Sequence, residues 1–588
     1  MAAGNVETAY ISDEETSESE EESSSECSDW NENAIEQYLR KRLACVFEDC
    51  NVQQPDSANV IDIFTKAIEI RRKEIAAFTE MICKCHNVDV CIVMDATTNM
   101  EKYIQGMANS IEKVASNFIP SDNQHPRVLS KLRIACIAYR DHNYQKHIET
   151  FEFCEDVKQL KAFLSQLTTG NEYGGADPPE DVLGGLWRAK YLSWSPNAGV
   201  KLMFHVGDRP PHGKQFHQGS MFDNFPNGHP DDQPVENIFK WLKDENINYA
   251  FGKISDSTDK MIEIFRELAA TEILEFNVKN SKSIGFAIRD SIIMTVDDAI
   301  WMAKNQFPGL MTELGKNEID LDCPEWEDVG KQIVWIKAYE MFEDIEDIIK
   351  EKPLQRIISK QNFIQIAPNP FAEGKERFAF YARNVTTKKG VTKTPEKIVC
   401  KEFKLIGNSE NIGMRYYLAN QLQAIFHFLV SKFSNLVNCS DPTLTLKVLH
   451  VQTFKFDDNK RLMTSEREYF DGSKFIRFQS DIGCTALQEK AKKFGIDPNY
   501  VDLVLALSHW THYISSGYLM IADCKGIVVR QKGHTRVILT DPTIHCQDPT
   551  RFGRLNLAEA GMQMFFNTHE CKHHCKHLKL VPNVFKTY

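Results

Sequence analysis

The sequence predicts a multidomain chain: a doubly wound α/β unit, then an α+β unit closed at its carboxy end by a metal-pinned module. Three observations carry this. Between residues 87 and 279, short apolar, β-branched runs alternate with helical stretches. From 364 onward the period becomes strand-like again, with turn residues between the runs. Near the end, DPTIHCQ (541–547) is followed by HECKHHC (569–575), a concentration of nitrogen and sulfur ligands. At 588 residues the chain has room for two or three domains, each with its own core.

Residues 1–32 form an acidic tail. SDEETSESEEESSSECSD (12–29) joins acids to serines with almost no apolar side chain, so burial cannot offset the entropy of ordering it, and disorder is expected. Ser17, Ser19 and Ser23 are candidate phosphorylation sites, against the simpler reading of a solvated tail. Twelve of the 82 Asp and Glu residues lie in 1–39, where there is no Lys or Arg, so the formal charge of −13 belongs to the tail. The remainder carries 70 acids against 69 bases, which excludes the strongly basic surface of a nucleic-acid-binding protein.

No apolar run reaches the roughly 18 residues that would span a bilayer. The opening MAAGNVETAYISDEE lacks the basic and apolar regions of a secretory leader, so a cytoplasmic location is expected. In that reducing compartment the 16 cysteines are expected as buried thiols or metal ligands.

Residues 33–86 read as helical, with Ile61, Phe64, Ile68 and Ile70 spaced for one apolar face. In 87–279, the runs VDVCIVMD (88–95), KLRIACIAY (131–139), GVKLMFHVGD (199–208) and INYAFGKI (247–254) read as buried parallel strands, with helices such as 155–167 and 179–192 between them. In such sheets ligands collect at the carboxyl ends of the strands. Asp95 ends the first strand and opens DATTNM, so Asp95, Thr97 and Asn99 offer hard oxygens on one turn, and Asp208 ends a later strand. Together they form a candidate divalent-cation site, against the reading of Asp95 as a simple helix cap.

The pattern resembles the von Willebrand factor A domain and its metal-ion-dependent adhesion site, with Thr97 and Asn99 where that family has serines. The resemblance implies binding of a protein partner through the cation. It makes Thr169 a further candidate ligand, with Asp177 an alternative donor. Residues 280–363 read as a helical bridge, including KQIVWIKAYEMFEDIEDIIKEKP, which Pro353 ends.

In 364–588, APNPFAEGKERFAFYARN (367–384) reads as strand, turn at Gly374 and strand, and KIVCKEFKLI (397–406) as a strand enclosing Lys401. A lysine among Ile398, Val399 and Phe403 needs an anion such as a nucleotide phosphate or a water-facing exit. His545, His569, Cys571 and Cys575 form a two-nitrogen, two-sulfur set suited to a structural Zn²⁺, and GRLNLAEAGMQMFF before them supplies a helix to carry the later ligands.

FAEGKERFAFYA, IVCKEFK, YFDGSKFIRFQSDIG, ALSHWTHYISSGYLMIADCKG, LTDPTIH and FFNTHECKHHC occur in the order found in the alpha-kinase catalytic domain, which the segment resembles. With the upstream unit, the architecture is similar to alpha-kinases that carry a von Willebrand factor A domain. The resemblance implies an atypical serine/threonine protein kinase that uses ATP and Mg²⁺ on a protein substrate, with Zn²⁺ in its tail. It makes Lys401 the nucleotide-binding lysine, with Gly374 and Arg377 on the phosphate-covering turn and Glu466 or Glu468 at the nucleotide's edge. Asp523 and Asp541 become the catalytic pair, with base and Mg²⁺-ligand roles unassigned between them. Lys525 stands where the family has glutamine, Arg467 where an acid is usual, and NLAEAG replaces N-L-G-x-x-G. The alternative is a degenerate kinase fold used as an interaction module, with Lys525 pairing to Asp523.

Overall fold

The computed structural model describes residues 32–581 apart from 120–128, 168–176, 218, 270–271, 307–318, 340, 355, 375–376, 387–394, 405–411, 459–460, 468–474, 480–490 and 492–494. The expected acidic tail, Thr169 and Glu468 lie outside the described residues. The first described elements are a helical hairpin, α1 (Glu32–Asp49) and α2 (Val60–Cys85). Asn59 starts α2 by accepting the Ile61 N–H on its side chain.

NVDVCIVMD offers little polar alternation, so its strand needs cover on both faces. It forms β1 (Asn87–Asp95), within a six-stranded sheet ordered β3-β2-β1-β4-β5-β6, with β2 (Lys131–Tyr139), β3 (Ile148–Cys154), β4 (Val200–Gly207), β5 (Ile247–Lys253) and β6 (Leu274–Asn277). All pairings are parallel except the β2–β3 edge. Against one face lie α2, α3 (Glu101–Ser116), α4 (Val157–Gln166) and α8 (Ser283–Gln306), which share one core. Against the other lie α5 (Val182–Arg188), α6 (Val235–Asp244) and α7 (Asp259–Leu268). Because β1 and β4 run parallel with Met94 opposite Val206, both strands deliver their carboxyl ends to one edge.

The expected helical bridge has no separate existence among the described residues. Ile284, Ile288 and Ile292 of α8 are buried in the core of the six-stranded sheet. KQIVWIKAYEMFEDIEDIIKEKP is not a continuous helix: it forms strand β7 (Gln332–Tyr339) and a short helix, α9 (Ile345–Ile349). Val334 and Ile336 are buried, so a period of two sets the local structure where the dense apolar run suggested helix. The next strand, β8 (Arg356–Ile366), runs across the expected boundary at 364.

β7 and β8 join a seven-stranded sheet with β9 (Ala372–Glu373), β10 (Arg377–Asn384), β11 (Glu396–Phe403), β13 (Val451–Phe456) and β14 (Leu462–Arg467), and β10 also pairs with β11, closing the sheet on itself. Beyond it, α10 (Ile412–Ser440) and α11 (Pro498–Ile514) share a core with a four-stranded sheet, β12 (Leu444–Val448), β18 (His534–Thr540), β17 (Lys525–Gln531) and β15 (Ile476–Arg477). A two-stranded pair, β16 (Leu519–Ala522) and β19 (Thr543–Cys546), precedes α12 (Ala558–Thr568) and α13 (His573–His577).

The hairpin ties the two halves together. Arg71 of α2 is buried and donates to the carbonyls of Pro549, Arg554 and Asn556 at 3.2, 3.2 and 2.8 Å. Arg42 of α1 reaches Asp548 and Thr550, both at 3.1 Å, while Arg415 of α10 pairs with Glu48 and Asp49 at 3.0 and 2.7 Å. Buried guanidiniums need this density of acceptors to offset lost hydration.

Candidate functional site

Strand register assembles the carboxy-terminal site. In the β16–β19 pair Ala522 faces Thr543, and in the β17–β18 pair Lys525 faces Thr540. The connections holding Asp523 and Asp541 are therefore anchored to each other on both sides. Both aspartates have left-handed backbone, φ 55° and 48°. That conformation costs on the order of 1–3 kcal/mol for a residue other than glycine, and such strain clusters where side chains must be aimed. Gly526 is required next to them: at φ 157° its backbone lies so near the Ile538 carbonyl that a Cβ would sit 1.9 Å from that oxygen.

β11 presents Lys401 to this junction. Its Nζ lies 3.0 and 3.1 Å from the two Asp541 oxygens and also pairs with Glu466 of β14. Glu466 accepts a 3.2 Å hydrogen bond from Thr540. Arg377 donates weakly to Thr464 at 3.4 Å and stacks over Phe403, 4.3 Å from the ring centre, next to the turn where Gly374 N–H donates to the Arg377 carbonyl at 2.8 Å. Burial opposes charge on Asp541, but Lys401, Lys525 and Arg377 outweigh it and hold the carboxyl below the usual range. Burial likewise opposes charge on Lys401, and Asp541 with Glu466 outweighs it and raises the ammonium pKa. Glu466 is pushed up by burial and by Asp541, against the pull of Lys401.

Asp523 pairs with Arg477 of β15, which lies opposite Lys525 in the sheet, and with Lys525 itself at 3.6 Å. Sequence reasoning missed Arg477. The signal was FIRF within YFDGSKFIRFQSDIG, a cation on a strand of two residues.

The structure separates His545 from the other three expected zinc ligands and brings His509 to them instead. The ligand atoms of His509, His569, Cys571 and Cys575 all lie within 4.8 Å of one another. Cys571 Sγ is 3.5 Å from His509 Nδ1, and Cys575 Sγ is 3.4 Å from His569 Nε2. Zn–S and Zn–N bonds of about 2.3 and 2.0 Å meeting at a tetrahedral angle separate S from N by roughly 3.5 Å, so the set fits the ion. The Cys571 thiol is held down to about 3, first by its hydrogen bond with Cys575 and then by His509 and His569, against burial. His545 is elsewhere: its Nδ1 accepts the Leu557 N–H at 3.1 Å, and its ring packs so closely on Gly561 that a Cβ there would come within 2.6 Å. Its sequence neighbours made it a candidate, but its ring is committed to starting α12. His509, on the buried face of α11 in SHWTH, takes its place.

At the edge of the six-stranded sheet, Asp95 Oδ1 accepts the Thr97 N–H at 2.8 Å and the Thr97 hydroxyl at 2.7 Å. Its Oδ2 is buried with no hydrogen-bond partner, as are Asp208 Oδ1 and Glu180 Oε2. Glu180 reaches this edge because its N–H donates to the Pro210 carbonyl at 3.1 Å. Burial, then Asp208, pushes Asp95 up to about 7, and burial, then Asp95, pushes Glu180 up to about 10. These three carboxylates carry hard oxygen donors and influence one another electrostatically, the chemistry a hard divalent cation would take. Asn99 stands exposed on the turn 98–100, and Asp177, the alternative donor, spends its oxygens on Asn224 at 2.6 and 2.7 Å.

Residues 372–575 match the alpha-kinase family. The chain carries an alpha-kinase domain. It is a protein kinase enzyme. Over 549 residues, 89% of this chain and 81% of the relative, it is 26% identical to alpha-protein kinase vwkA of Dictyostelium discoideum. Myosin heavy chain kinase B of the same organism is 25% identical over 219 residues, which is 37% of this chain and 26% of that one. Human eukaryotic elongation factor 2 kinase is 30% identical over 115 residues, 20% of this chain and 13% of its own length. Among solved structures, an alpha kinase from Entamoeba histolytica aligns with 46% of this chain and 96% of its own, at 20% identity and TM-score 0.35. No described helix of the kinase or of the rest of the chain is long and apolar enough to cross a membrane.

Proposed function

We propose that the kinase domain transfers the γ-phosphoryl group of ATP to a serine or threonine hydroxyl of a protein. The observation that carries this reading is the Lys401–Asp541 ion pair at 3.0 Å, with Glu466 on the same ammonium and Asp523 held on the neighbouring connection. Such chemistry rests on positioning and charge neutralisation. When a triphosphate enters, Lys401 exchanges a carboxylate for phosphate oxygens, and Arg377 lies on the adjacent turn to bind them as well. Asp541, kept ionised by its cationic neighbours, is then the carboxylate free to hold Mg²⁺. Mg²⁺ supplies neutralisation of the phosphate charge when bound. Asp523, fixed by Arg477, orients the attacking hydroxyl and accepts its proton.

In this reading Zn²⁺ bound by His509, His569, Cys571 and Cys575 holds the tail against α11. Residues 87–279, with α8 added, act as a von Willebrand factor A-like domain. It binds a protein partner in the cytoplasm through a divalent cation at Asp95, Thr97 and Asp208, with Glu180 beside them. A degenerate, non-catalytic domain is the less favoured alternative: Lys525 lies 3.6 Å from Asp523 as that reading expects, but Lys401, Asp523 and Asp541 are all retained and Asp541 keeps Lys401.

Separate substitutions test the division of labour. Lys401→Ala should weaken ATP binding by about tenfold or more, whereas Asp523→Asn should leave that affinity near wild type and lower kcat by roughly 10²–10³-fold. Wild-type turnover in Asp523→Asn removes its assigned role.

A further inference from the structure

Beside the carboxylate edge of the six-stranded sheet lies a second, chemically different cluster. Within the β2–β3 connection, Arg140 N–H donates to the His147 carbonyl at 2.7 Å, its guanidinium donates to the Lys146 carbonyl at 2.7 Å, and Tyr144 N–H donates to the Asp141 carbonyl at 3.1 Å. These bonds brace the loop so that His142 and His147 turn toward one carboxylate, Asp181. The His142 ring is further fixed by stacking on His229, with centroids 3.6 Å apart and planes 13° from parallel. Asp181 is fixed from its own side, since its Oδ1 accepts the Gly184 N–H at 2.7 Å at the start of α5. Its side chain is only 2% exposed.

The separations are those of ligands around an ion. His142 Nε2 is 3.6 Å from Asp181 Oδ1, and His147 Nε2 is 4.0 Å from Asp181 Oδ2. Both exceed the usual hydrogen-bond range. Metal–nitrogen and metal–oxygen bonds of about 2.0–2.2 Å at a tetrahedral angle place such atoms roughly 3.4 Å apart, so a small inward movement completes the site. One atom each from His142, His147 and Asp181 lies within 4.8 Å of the others. Two imidazoles with one carboxylate suit Zn²⁺ or a similar borderline ion, whereas the all-oxygen Asp95, Asp208 and Glu180 group suits a hard one. Asp232 Oδ1 hydrogen-bonds the same His142 Nε2 at 3.3 Å, a contact that metal binding replaces, leaving Asp232 to accept a hydrogen bond from a coordinated water.

We propose that His142, His147 and Asp181 form a transition-metal site, of the Zn²⁺ class, on the rim of the six-stranded sheet. It is independent of the kinase reading and of the cysteine-containing zinc set. Zn²⁺ is the probe: the full chain is loaded with the metal, passed into metal-free buffer and analysed for bound zinc. Wild type should hold one more zinc per chain than His142→Ala/His147→Ala. Should the double variant fold poorly, His147→Ala alone, at a half-buried position, should weaken the extra site at least tenfold in competition with a chromophoric chelator. In the cobalt-loaded chain, His147→Ala should lose part of the visible cobalt absorption while the thiolate-to-cobalt band from Cys571 and Cys575 persists. Equal zinc counts and equal chelator competition in wild type and variants overturn the proposal. So does an extra zinc lost in Asp95→Asn and retained in His142→Ala/His147→Ala.

Discussion

Two groups of carboxylates in this chain meet the same electrostatic problem in opposite ways. In the kinase domain, Asp541 and Glu466 share Lys401, and Asp523 lies with Arg477 and Lys525, so the chain supplies the counter-charges itself. At the edge of the six-stranded sheet, Asp95, Asp208 and Glu180 each have a buried oxygen without a hydrogen-bond partner among the described residues. Their carboxyls influence one another chiefly by repulsion on top of burial. A balanced site responds to an arriving anion by exchanging partners, and a site with surplus negative charge takes up a cation. The first suits a triphosphate and the second a divalent ion.

The largest effect that bears on this contrast concerns the zinc proposed to keep the balanced site in shape. A structural zinc contributes on the order of 10–16 kcal/mol of apparent binding energy to the fold it closes. Chelation should therefore sharply lower the melting temperature of the kinase domain. His509→Ala should lose zinc, while His545→Ala should retain it and suffer only the smaller loss of a buried hydrogen bond and packing. Zinc retained in His509→Ala and lost in His545→Ala would restore the set read from sequence.

A smaller effect tests the surplus site. Mg²⁺ at a hundred times its Kd should stabilise the six-stranded sheet by about 2.7 kcal/mol. Asp208→Asn and Glu180→Gln should abolish that response, measured as a magnesium-dependent shift in denaturant midpoint. An undiminished shift in Glu180→Gln removes Glu180 from the cation group.

The smallest effect asks whether a hidden cation spoils the contrast. His205 is buried in β4 between Tyr139 and Tyr249, with contacts of 2.9 and 2.6 Å, and burial pushes its pKa down to about 3. It is therefore neutral in the fold and offers the carboxylates no charge. Since the unfolded chain takes up this proton near pH 6.5 and the folded chain does not, the contribution is intact above 6.5 and falls away as pH drops toward 3. At pH 5 the loss is about 2 kcal/mol. Urea midpoints at pH 7.5 and pH 5 should differ less in His205→Gln than in wild type. A histidine protonated in the fold would leave the two slopes equal.

The residues proposed for the kinase site were picked out in the sequence because they lie inside compact motifs. Lys401 stands in a strand where a water-facing exit explained its charge as readily as an anion did, and the order of the six motifs singled it out together with Asp523 and Asp541. The residues that escaped come from elements distant in sequence. His509 sits on a buried helix whose apolar neighbours mask it as core, whereas His545 sits among obvious ligands and is bound by a backbone N–H. Glu180 reaches the strand edge only because its loop docks on Pro210. The misread helix at 331–353 had a local origin, a dense apolar run in which Val334 and Ile336 alternate with half-buried neighbours. Periodicity alone separates strand from helix poorly over so short a span.

Phosphoryl transfer itself tests the central claim most directly. With radiolabelled ATP, Mg²⁺ and a threonine-containing basic protein, wild-type chain should label the protein, and Asp541→Ala should lower kcat by about a hundredfold or more. No transfer by zinc-loaded wild type, or equal transfer by Asp541→Ala, would contradict a phosphoryl-transfer centre built on Lys401, Asp523 and Asp541.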